Sequence, residues 1–546
     1  MKQNILIAIL IIICISCTSP AAETPANPLP TIEGESPLRL TAAANNETVA
    51  EPQLDAAEPN EPVTEAQIEN AESIESTVGE DLDLIQRILI LYTNDEHGWM
   101  EGVNPDTGAA HLAGSWEDQF DYDDYHAVIT LSGGDMWTGP AISTWFEGES
   151  MVEVMNTIGY AAAAVGNHEF DFALDKLAEN AANSTFPFVS ANVRYADNPG
   201  ETPLEYGIKP YTIVSLDSGL RVGITGLTTI KTPTTTNPAY VRDFVFIGYE
   251  TALRQIIPQI AEENVDMILV PGHVCAEELR MLAGQVSDLP IDLLGGGHCN
   301  ELVADDFGSS VILIGGSHMA TYAWADLTLD LDTGEMISRE YGTEFTSSRV
   351  EPNAEVADVV GRWQDETDKE LSVVIGYLDQ PVFRRSENQQ NLITSSWLLG
   401  YPAADIALTN LGGFRADLPA GEITQGEIVG VFPFNNVIIE LQLTGQEVLS
   451  ILASRSRSLA VGGVERNLAG RYRLTKSGEE LDVNETYSVL VNDFMYAGGD
   501  DYDMLAEFDP DGYNTAIDWR QPLIDWIEAQ GSSEGRPLDE AIGDLR

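Results

Sequence analysis

Short apolar runs, each followed by a polar loop that contains glycine, recur through residues 88–314 of this 546-residue chain. Of all the features of the sequence, this pattern limits the possible folds most strongly. Helical stretches separate many of the runs. Because buried strands that alternate with helices form sheets covered by those helices, the pattern predicts a layered α/β domain. The runs comprise residues 88–92, 127–131, 161–165, 222–227, 267–270, 291–294 and 311–314.

The chain is too long for a single domain, because one hydrophobic core usually stops growing at roughly 250 to 300 residues. Apolar residues at i, i+3, i+4 and i+7 after Pro352 predict a helix, which we interpret as a connector. Beyond it, alternation at residues 437–443 predicts a strand, and Thr444 with Glu447 predicts a capping box at the start of the next helix. A second, C-terminal domain is therefore expected.

Residues 1–17 have the pattern of an export signal. Lys2 precedes an Ile- and Leu-rich run at residues 5–13, which is short for a membrane span but typical of a secretory signal. Ser16 before Cys17 is similar to a bacterial lipoprotein signal, in which a lipid on Cys17 anchors the protein to the membrane. Cys14 stands where that signal prefers leucine, and secretion after cleavage nearby is the alternative. We expect an extracytoplasmic protein, either a cell-surface or periplasmic lipoprotein or a secreted protein.

Acidic residues dominate the charge. The chain has 27 Lys and Arg against 88 Asp and Glu, a net charge of −61. Such a surface repels polyanions, which excludes electrostatic binding of a nucleic acid polymer. Residues 18–84 contain Arg39 as their only basic residue and are rich in Ala, Pro, Glu, Asn and Thr, so they are predicted to form a disordered acidic tether.

Five loops at the ends of predicted strands carry unusual polar clusters. In an α/β sheet, ligand sites form at the carboxyl ends of strands, so we expect these loops to converge on one crevice. Four of the seven histidines fall in them. Carboxylate, imidazole and amide oxygen together suit Zn, Mn, Fe or Co, and a carboxylate such as Asp135 can bridge two divalent ions that activate water for attack on phosphorus. The loops read TNDEHG at 93–98, GGD at 133–135, GNHEFD at 166–171, PGH at 271–273 and GGGHCN at 295–300.

In this order, the motifs resemble those of the calcineurin-like metallophosphatase domain of the 5′-nucleotidase family, over roughly residues 88–502. The resemblance implies an α/β (α+β) fold with a four-layer N-terminal metallophosphatase β-sandwich flanked by helices and a smaller α/β C-terminal substrate domain. It implies a metal-dependent phosphoric ester hydrolase that removes the 5′-phosphate from nucleotides. The expected domains are a signal at 1–17, a tether at 18–84, the metallophosphatase domain at 85–345, a linker helix at 346–375 and the C-terminal domain at 376–546.

The resemblance also implies roles for individual residues. His168 would act on the phosphoryl group as transition-state stabiliser or proton donor, with Asp171 orienting its ring. Asn300 departs from the family, which usually has His or Gln there, so either its shorter amide ligates or a water bridges. The implied ligands are Asp95 and His97 for one ion, Asp135 as the bridge, and Asn167, His273 and His298 for the other.

Other residues near these motifs have several interpretations. Cys275 and Cys299 each lie close to an implied histidine ligand, and a disulfide that stiffens the loops, two buried thiols and thiolate ligation all remain open. His111, His126 and His318 are assigned no role by the motifs.

Three segments of the C-terminal part are similar to the family's substrate loops: TNLGGFR at 409–415, FPFNN at 432–436 and VNDFMYAGGDDY at 491–502. Leu411 and Asp501 each stand where the family usually has glycine. By resemblance, Phe434 and Phe494 would sandwich the base, while Arg384 or Arg385 would contact phosphate. The other implied substrate-binding residues are Asn410, Arg415, Asn436 and Asp500.

Two alternatives remain open from the sequence. One is a phosphodiesterase or pyrophosphatase that acts on UDP-sugars, 2′,3′-cyclic nucleotides or dinucleotides with the same metals. The other is a surface lipoprotein that binds nucleosides and catalyses weakly, for which Asn300 is the main support.

Overall fold

The computed structural model describes residues 84–545 apart from 105, 106, 217, 456, 457 and 469. The predicted export signal with Cys17, and the tether up to residue 83, lie outside the described residues. Within the described part, no helix combines the length and apolar character needed to cross a membrane.

The N-terminal region consists of two large sheets, a small two-stranded sheet and the helices that cover them. Its strands are β1 (Ile85–Thr93), β2 (Ala127–Ser132), β3 (Tyr160–Ala164), β4 (Phe188–Val189), β5 (Val193–Tyr195), β6 (Ile208–Lys209), β7 (Thr212–Ser215), β8 (Arg221–Ile224), β9 (Phe244–Phe246), β10 (Met267–Val270), β11 (Leu293–Gly295), β12 (Leu302–Phe307), β13 (Ser310–Gly315), β14 (Thr321–Asp330) and β15 (Glu335–Phe345). Its helices are α1 (Ala109–Gln119), α2 (Ala141–Thr144), α3 (Glu149–Ile158), α4 (Ala173–Asn183), α5 (Thr232–Thr235), α6 (Pro238–Val241), α7 (Tyr249–Glu262) and α8 (Ala276–Gln285).

Both large sheets have parallel centres, with antiparallel strands at one edge of the first sheet and at both edges of the second. The first has the strand order β15-β14-β1-β2-β3-β4-β6 and the second β12-β13-β11-β10-β8-β7, while β5 and β9 form the small sheet. β1, β2, β3 and β4 pair in parallel, as do β8, β10, β11 and β13. Because these strands run in parallel, their carboxyl ends lie at the same end of each sheet, where the polar loops begin.

Apolar side chains on both faces of each sheet produce four layers. Ile90 of the first sheet packs with Leu269 of the second in the core between them. Leu91, the neighbour of Ile90, points the other way and packs with Trp116 of α1. Strands buried on both faces read as continuous apolar runs, and for this reason the strands were recognisable in the sequence. The predicted fold class is confirmed, and the predicted strands agree with the observed ones to within a few residues at their ends.

The helix predicted after Pro352 is present as α9 (Ala354–Leu371). The Asn353 side chain accepts a hydrogen bond from Val356 N and so caps its first turn. Trp363 packs against Phe146, with their ring centroids 4.9 Å apart, and this contact fixes the helix against the N-terminal region.

The C-terminal region is built on a five-stranded sheet. The strands of the region are β16 (Val374–Leu378), β17 (Ile406–Asn410), β18 (Gly421–Thr424), β19 (Val437–Thr444), β20 (Leu459–Gly462), β21 (Val464–Arg466), β22 (Tyr472–Leu474), β23 (Thr486–Asn492) and β24 (Tyr513–Asp518). The helices are α10 (Glu387–Gly400), α11 (Gln425–Val431), α12 (Gly445–Arg455), α13 (Asp493–Tyr496), α14 (Met504–Phe508), α15 (Gln521–Gln530) and α16 (Asp539–Asp544). The sheet has the strand order β20-β17-β23-β19-β24. Thr444 and Glu447 form the reciprocal hydrogen bonds of the predicted capping box before α12.

Candidate active site

The five polar loops meet at one place, as expected from the strand order. Asp135, after β2, brings its Oδ2 to 2.8 Å from His273 Nε2 after β10 and to 3.9 Å from His97 Nε2 after β1. His298, after β11, lies with Nδ1 3.2 Å from His273 Nε2. Two groups of potential ligand atoms result, each with all its atoms within 4.8 Å of one another: His97, Asp135 and His168, and Asp135, His273 and His298. Asp135 belongs to both groups, so one carboxylate is able to serve two ions.

Backbone carbonyls orient two of the imidazole rings. His97 Nδ1 lies 3.0 Å from Thr138 O, and His273 Nδ1 lies 2.9 Å from Gly133 O. Because a carbonyl oxygen accepts, each Nδ1 carries a proton and donates a hydrogen bond, which directs each Nε2 toward the cluster. This is the arrangement of metal-ligating histidines.

Two buried side-chain oxygens at the centre of the cluster accept no hydrogen bond from the described residues. Among the residues that the structure describes, no hydrogen-bond donor reaches Asp95 Oδ1 or Asn167 Oδ1, although both atoms are buried. The other carboxylate oxygen of Asp95 accepts from Asn94 Nδ2 and His298 N. Buried acceptors are rarely unsatisfied in native proteins. Their presence beside imidazoles and a shared carboxylate fits divalent cations.

Left-handed backbone aims these side chains. Asp95, His97, Asp135, His298 and Asn300 have φ values of 50°, 47°, 60°, 73° and 55°. Residues other than glycine adopt this conformation infrequently, and where they do so at a cluster the strain is characteristic of functional sites. Asn300 itself is exposed and lies on the wall of the cavity described below.

The charges of the cluster stabilise one another. Although burial alone lowers it, the carboxylates of Asp135 and Asp95 raise the pKa of His273 to about 10. Burial raises the pKa of Asp95 to about 6. Burial also opposes ionisation of Asp135, but the imidazoles of His273 and His168 hold the pKa of that carboxyl well below its usual range. Asp135 is therefore ionised, as a shared ligand must be.

Glu169, to which the sequence analysis assigned no role, holds two loops in register. Its buried carboxylate accepts hydrogen bonds from Asp135 N at 2.9 Å, Met136 N at 2.7 Å and Gly166 N at 2.5 Å. Gly166 is needed for this close approach, since a Cβ there would lie 2.2 Å from Asp135 Oδ1. The GNHEFD motif thus positions the shared carboxylate as well as supplying side chains.

His168 belongs to a short hydrogen-bond relay. Its Nδ1 lies 2.6 Å from Asp171 Oδ2, and Thr236 Oγ1 donates to Asp171 Oδ1 at 2.9 Å. Burial lowers the pKa of His168, but the carboxylates of Asp171 and Asp135 outweigh it and raise that pKa. The ring is thereby held with Nε2 directed to the cluster, 4.0 Å from Asp135 Oδ2.

Cys275 and Cys299 form a disulfide. It joins the loop that carries His273 to the loop that carries His298. Of the three interpretations left open by the sequence, the structure contains the first.

The substrate loops of the C-terminal region face the cluster. Arg415 Nη2 lies 3.4 Å from His97 Nε2, and the guanidinium of Arg415 lies 5.7 Å from the centre of the Phe434 ring. The Phe434 ring centre is in turn 5.9 Å from that of His168. Asn410 Nδ2 donates to Asp500 Oδ2 at 2.7 Å. The two regions therefore share one cavity.

This cavity has a volume of about 300 Å³, within the range of small-molecule sites. Asp95 and His273 lie behind its wall. The predicted residues that line it are His97, Asp135, Asn167, His168, Asp171, His298, Asn300, Arg384, Asn410, Arg415, Phe434, Asn436, Phe494 and Asp500.

The structure distinguishes the members of two neighbouring pairs, of which the sequence left only Arg384 and Arg385 ambiguous. The Nε of each arginine donates to a backbone carbonyl, Arg384 to Phe414 O and Arg385 to Leu411 O, but Arg384 belongs to the cavity lining and Arg385 does not. Asp500 lines the cavity, whereas Asp501 is exposed and belongs to the turn beside it. The additional carboxylate at position 501 is therefore on the outer side of the turn.

Sequence reasoning missed several cavity residues, all of which except Asn435 lie outside the motifs. Two had a usable signal: His318 follows a glycine pair at a strand end, the same pattern as His298, and Thr236 ends a threonine-rich run. The wall residues missed are Trp99, Thr138, Thr235, Thr236, Asn237, Tyr240, His318 and Asn435.

Comparisons with known proteins find relatives that include 5′-nucleotidases. A family model described as "5'-nucleotidase, C-terminal domain" matches residues 374–507. A 5′-nucleotidase of Vibrio cholerae is 26% identical over 82% of this chain and 91% of its own, and Protein UshA of Yersinia enterocolitica is 25% identical over 85% of this chain and 96% of its own. In fold, the chain is similar to a crystal structure of a 5′-nucleotidase precursor from Thermus thermophilus, with a TM-score of 0.68 and 24% identity over 83% of this chain and 99% of that one.

The relatives match across both regions, and both regions contribute to the cavity. The C-terminal region matches the 5′-nucleotidase C-terminal domain, the chain is similar to 5′-nucleotidases along both regions, and it is a metal-dependent phosphoric ester hydrolase.

Proposed function

We propose that the protein is an exported dinuclear-metal phosphohydrolase that removes the 5′-phosphate from nucleotides to give a nucleoside and inorganic phosphate. The observation that carries the proposal is the 5.9 Å separation between the rings of His168 and Phe434. A base stacked on Phe434 has its own 5′-phosphate within reach of His168 and the ligand cluster.

Two divalent ions complete the proposed site. The first ion would be held by Asp95, His97 and Asn300, with Asp135 shared between the two ions. The buried oxygens of Asp95 and Asn167 that lack a hydrogen-bond donor among the described residues support ligation by Asp95 and by Asn167. Such ions would neutralise charge on the phosphoryl oxygens and activate water for in-line attack on phosphorus. The remaining ligands, Asn167, His273 and His298, would hold the second ion with Asp135.

His168 acts on the phosphoryl group. Asp171 accepts a hydrogen bond from Nδ1–H and favours the charged imidazolium, whose Nε2–H donates to a phosphoryl oxygen as negative charge develops there. Thr236 holds the second oxygen of Asp171 and thereby the orientation of the ring. Interactions that strengthen as this charge develops lower the barrier rather than the substrate's dissociation constant.

The C-terminal loops select the nucleotide. The guanidiniums of Arg384 and Arg415 supply positive charge to the phosphate in a chain whose net charge is −61. Phe434 and Phe494, half-buried on the cavity wall, offer faces on which a base stacks. Asn410, Asn436 and Asp500 are placed for polar contacts with the nucleoside.

An extracytoplasmic location is part of the proposal. The signal-like pattern at residues 1–17 motivates it, and the Cys275–Cys299 disulfide supports it, because disulfides persist mainly in oxidising compartments. Mass spectrometry of the mature protein tests the anchor: a lipid on Cys17 is expected, and an unmodified N-terminus released into the medium would favour secretion.

Phosphate release by the full-length protein tests the activity. The substrates are AMP, UDP-glucose and a 2′,3′-cyclic nucleotide, each assayed after chelation and again after addition of Mn²⁺ or Zn²⁺. We expect AMP to be hydrolysed fastest, with activity lost on chelation and restored by metal. A preference for UDP-glucose or the cyclic nucleotide would favour a phosphodiesterase or pyrophosphatase, and absence of turnover would favour a nucleoside-binding protein.

A further inference from the structure

His318 occupies a position on the cavity wall between the ligand cluster and the arginines. It follows β13 in a turn where His318 and Met319 both have left-handed backbone, with φ values of 59° and 56°. Its backbone N–H donates to Asp95 O at 2.9 Å, which ties the turn to the first ligand loop. Met319 is buried in the core, whereas His318 lines the cavity. The strained turn therefore buries one side chain and presents the other to the substrate space.

The ring of His318 is held by its neighbours but keeps both nitrogens available. Its centroid lies 5.2 Å from that of Trp99 and 5.9 Å from that of His97. In the part of the chain that the structure describes, its two ring nitrogens have no hydrogen-bond partner. A half-buried imidazole on a polar cavity, held by tilted contacts with two rings and unpaired at its nitrogens, is a pre-oriented hydrogen-bond donor.

The surroundings define what this donor meets. An imidazole carries at least one N–H in either its neutral or its charged form, so the ring of His318 is able to donate a hydrogen bond. Arg384 and Arg415 line the same cavity. An oxyanion attracted by these guanidiniums comes within reach of the imidazole.

We propose that His318 is a phosphate-binding residue, whose ring N–H donates a hydrogen bond to a non-bridging oxygen of the substrate phosphate beside Arg415. The inference rests on the proposed function in that the same cavity holds the phosphate ester. It adds a contact that none of the sequence motifs supplies.

Binding of inorganic phosphate to the Mn²⁺-loaded full-length protein, measured by calorimetry, tests the contact. His318→Phe keeps the ring packed on Trp99 and removes the N–H, whereas His318→Gln keeps an N–H donor. Both replacements meet the same left-handed backbone, so their difference isolates the hydrogen bond. We expect His318→Phe to weaken phosphate binding about tenfold and His318→Gln to remain within about threefold of the wild type. His111→Phe, which changes a histidine outside the cavity lining, is the control and is expected to bind phosphate as the wild type does.

Metal content is measured on the same samples and is expected to be unchanged. Equal phosphate affinity in His318→Phe and the wild type would overturn the proposal, as would loss of metal in proportion to the loss of phosphate. If His318→Phe fails to fold, His318→Ala takes its place in the comparison with His318→Gln. A wild-type protein that hydrolyses no nucleotide would refute the proposed function, while the phosphate titrations would still decide the role of His318.

Discussion

The ligand loops and the substrate loops are built in different ways although they face one cavity. In the ligand loops, Asp95, Asp135 and His273 are almost completely buried, and hydrogen bonds from neighbouring loops hold them. In the substrate loops, Phe434 and Phe494 are half-buried. The side chains of the ligand loops are therefore held in place by many contacts, whereas the substrate loops present partly exposed aromatic surfaces on which a ligand could bind.

This difference indicates that the ligand loops serve the chemical step and the substrate loops serve recognition of the base. Stabilising the negative charge that develops on the phosphoryl oxygens requires the ligands and His168 to be in position beforehand, because reorganising them during the reaction would raise the barrier. Base recognition tolerates looser placement, because every base offers a face for stacking. We therefore expect substitutions in the ligand loops to lower kcat, and substitutions in the substrate loops to raise KM.

The largest effect is expected from Asp135→Asn. Removing the charge of the shared carboxylate weakens both proposed ion sites, and metal ions contribute several kcal/mol to such reactions, so turnover should fall by at least about a thousandfold. Metal analysis and phosphate release measure the two losses together. Asp305→Asn, at an exposed position on β12, is the control. Full metal content with full turnover would contradict the shared-ligand role.

His168→Asn is expected to lower kcat by about a hundredfold or more while KM changes less than about threefold, because the lost proton donor acts in the transition state. Steady-state kinetics with AMP measure both constants. His111→Asn is the matched control, since His111 lies outside the cavity lining. A rise in KM with unchanged kcat would assign His168 to binding instead.

Phe494→Ala is expected to raise KM for AMP about tenfold with kcat nearly unchanged, since stacking on an aromatic ring contributes about 1–3 kcal/mol per base. Ribose 5-phosphate, which lacks the base, is the control substrate and should show no difference between the variant and the wild type. An equal loss with both substrates would mean that Phe494 supports the fold of the loop instead of the base.

Thr236→Val is expected to lower kcat up to about tenfold, because Asp171 loses one hydrogen bond to its charged group. Thr236→Ser retains the hydroxyl and should restore kcat to near the wild-type value. KM for AMP should be similar in all three proteins. If serine and valine behave alike, Thr236 contributes packing rather than orientation of the relay.

The smallest effect is expected from the double substitution Cys275→Ala with Cys299→Ala. Both loops retain their other contacts, including Gly297 N to Val274 O at 3.0 Å, so Zn²⁺ affinity should fall less than about tenfold. Competition with a chelator measures the affinity. A complete loss of metal would make the disulfide the principal constraint on the loops.

Local patterns predicted the strands and the motif residues for a physical reason. A strand buried on both faces must be apolar at every position, and a loop at its end is free to carry polar residues. Continuous runs such as the one that contains Ile90 and Leu91 were therefore readable, as were TNDEHG and GNHEFD after their strands. The capping box of Thr444 and Glu447 was equally local.

The sequence alone determined the layered α/β class, the two-region organisation and the set of polar loops, because each of these is written in contiguous residues. The tertiary structure alone decided which of Arg384 and Arg385 faces the cavity, that Cys275 pairs with Cys299, and that His318 and Thr236 belong to the site. These depend on distances between residues far apart in the chain: Thr236 and Asp171 are 65 positions apart, and no local pattern encodes their contact.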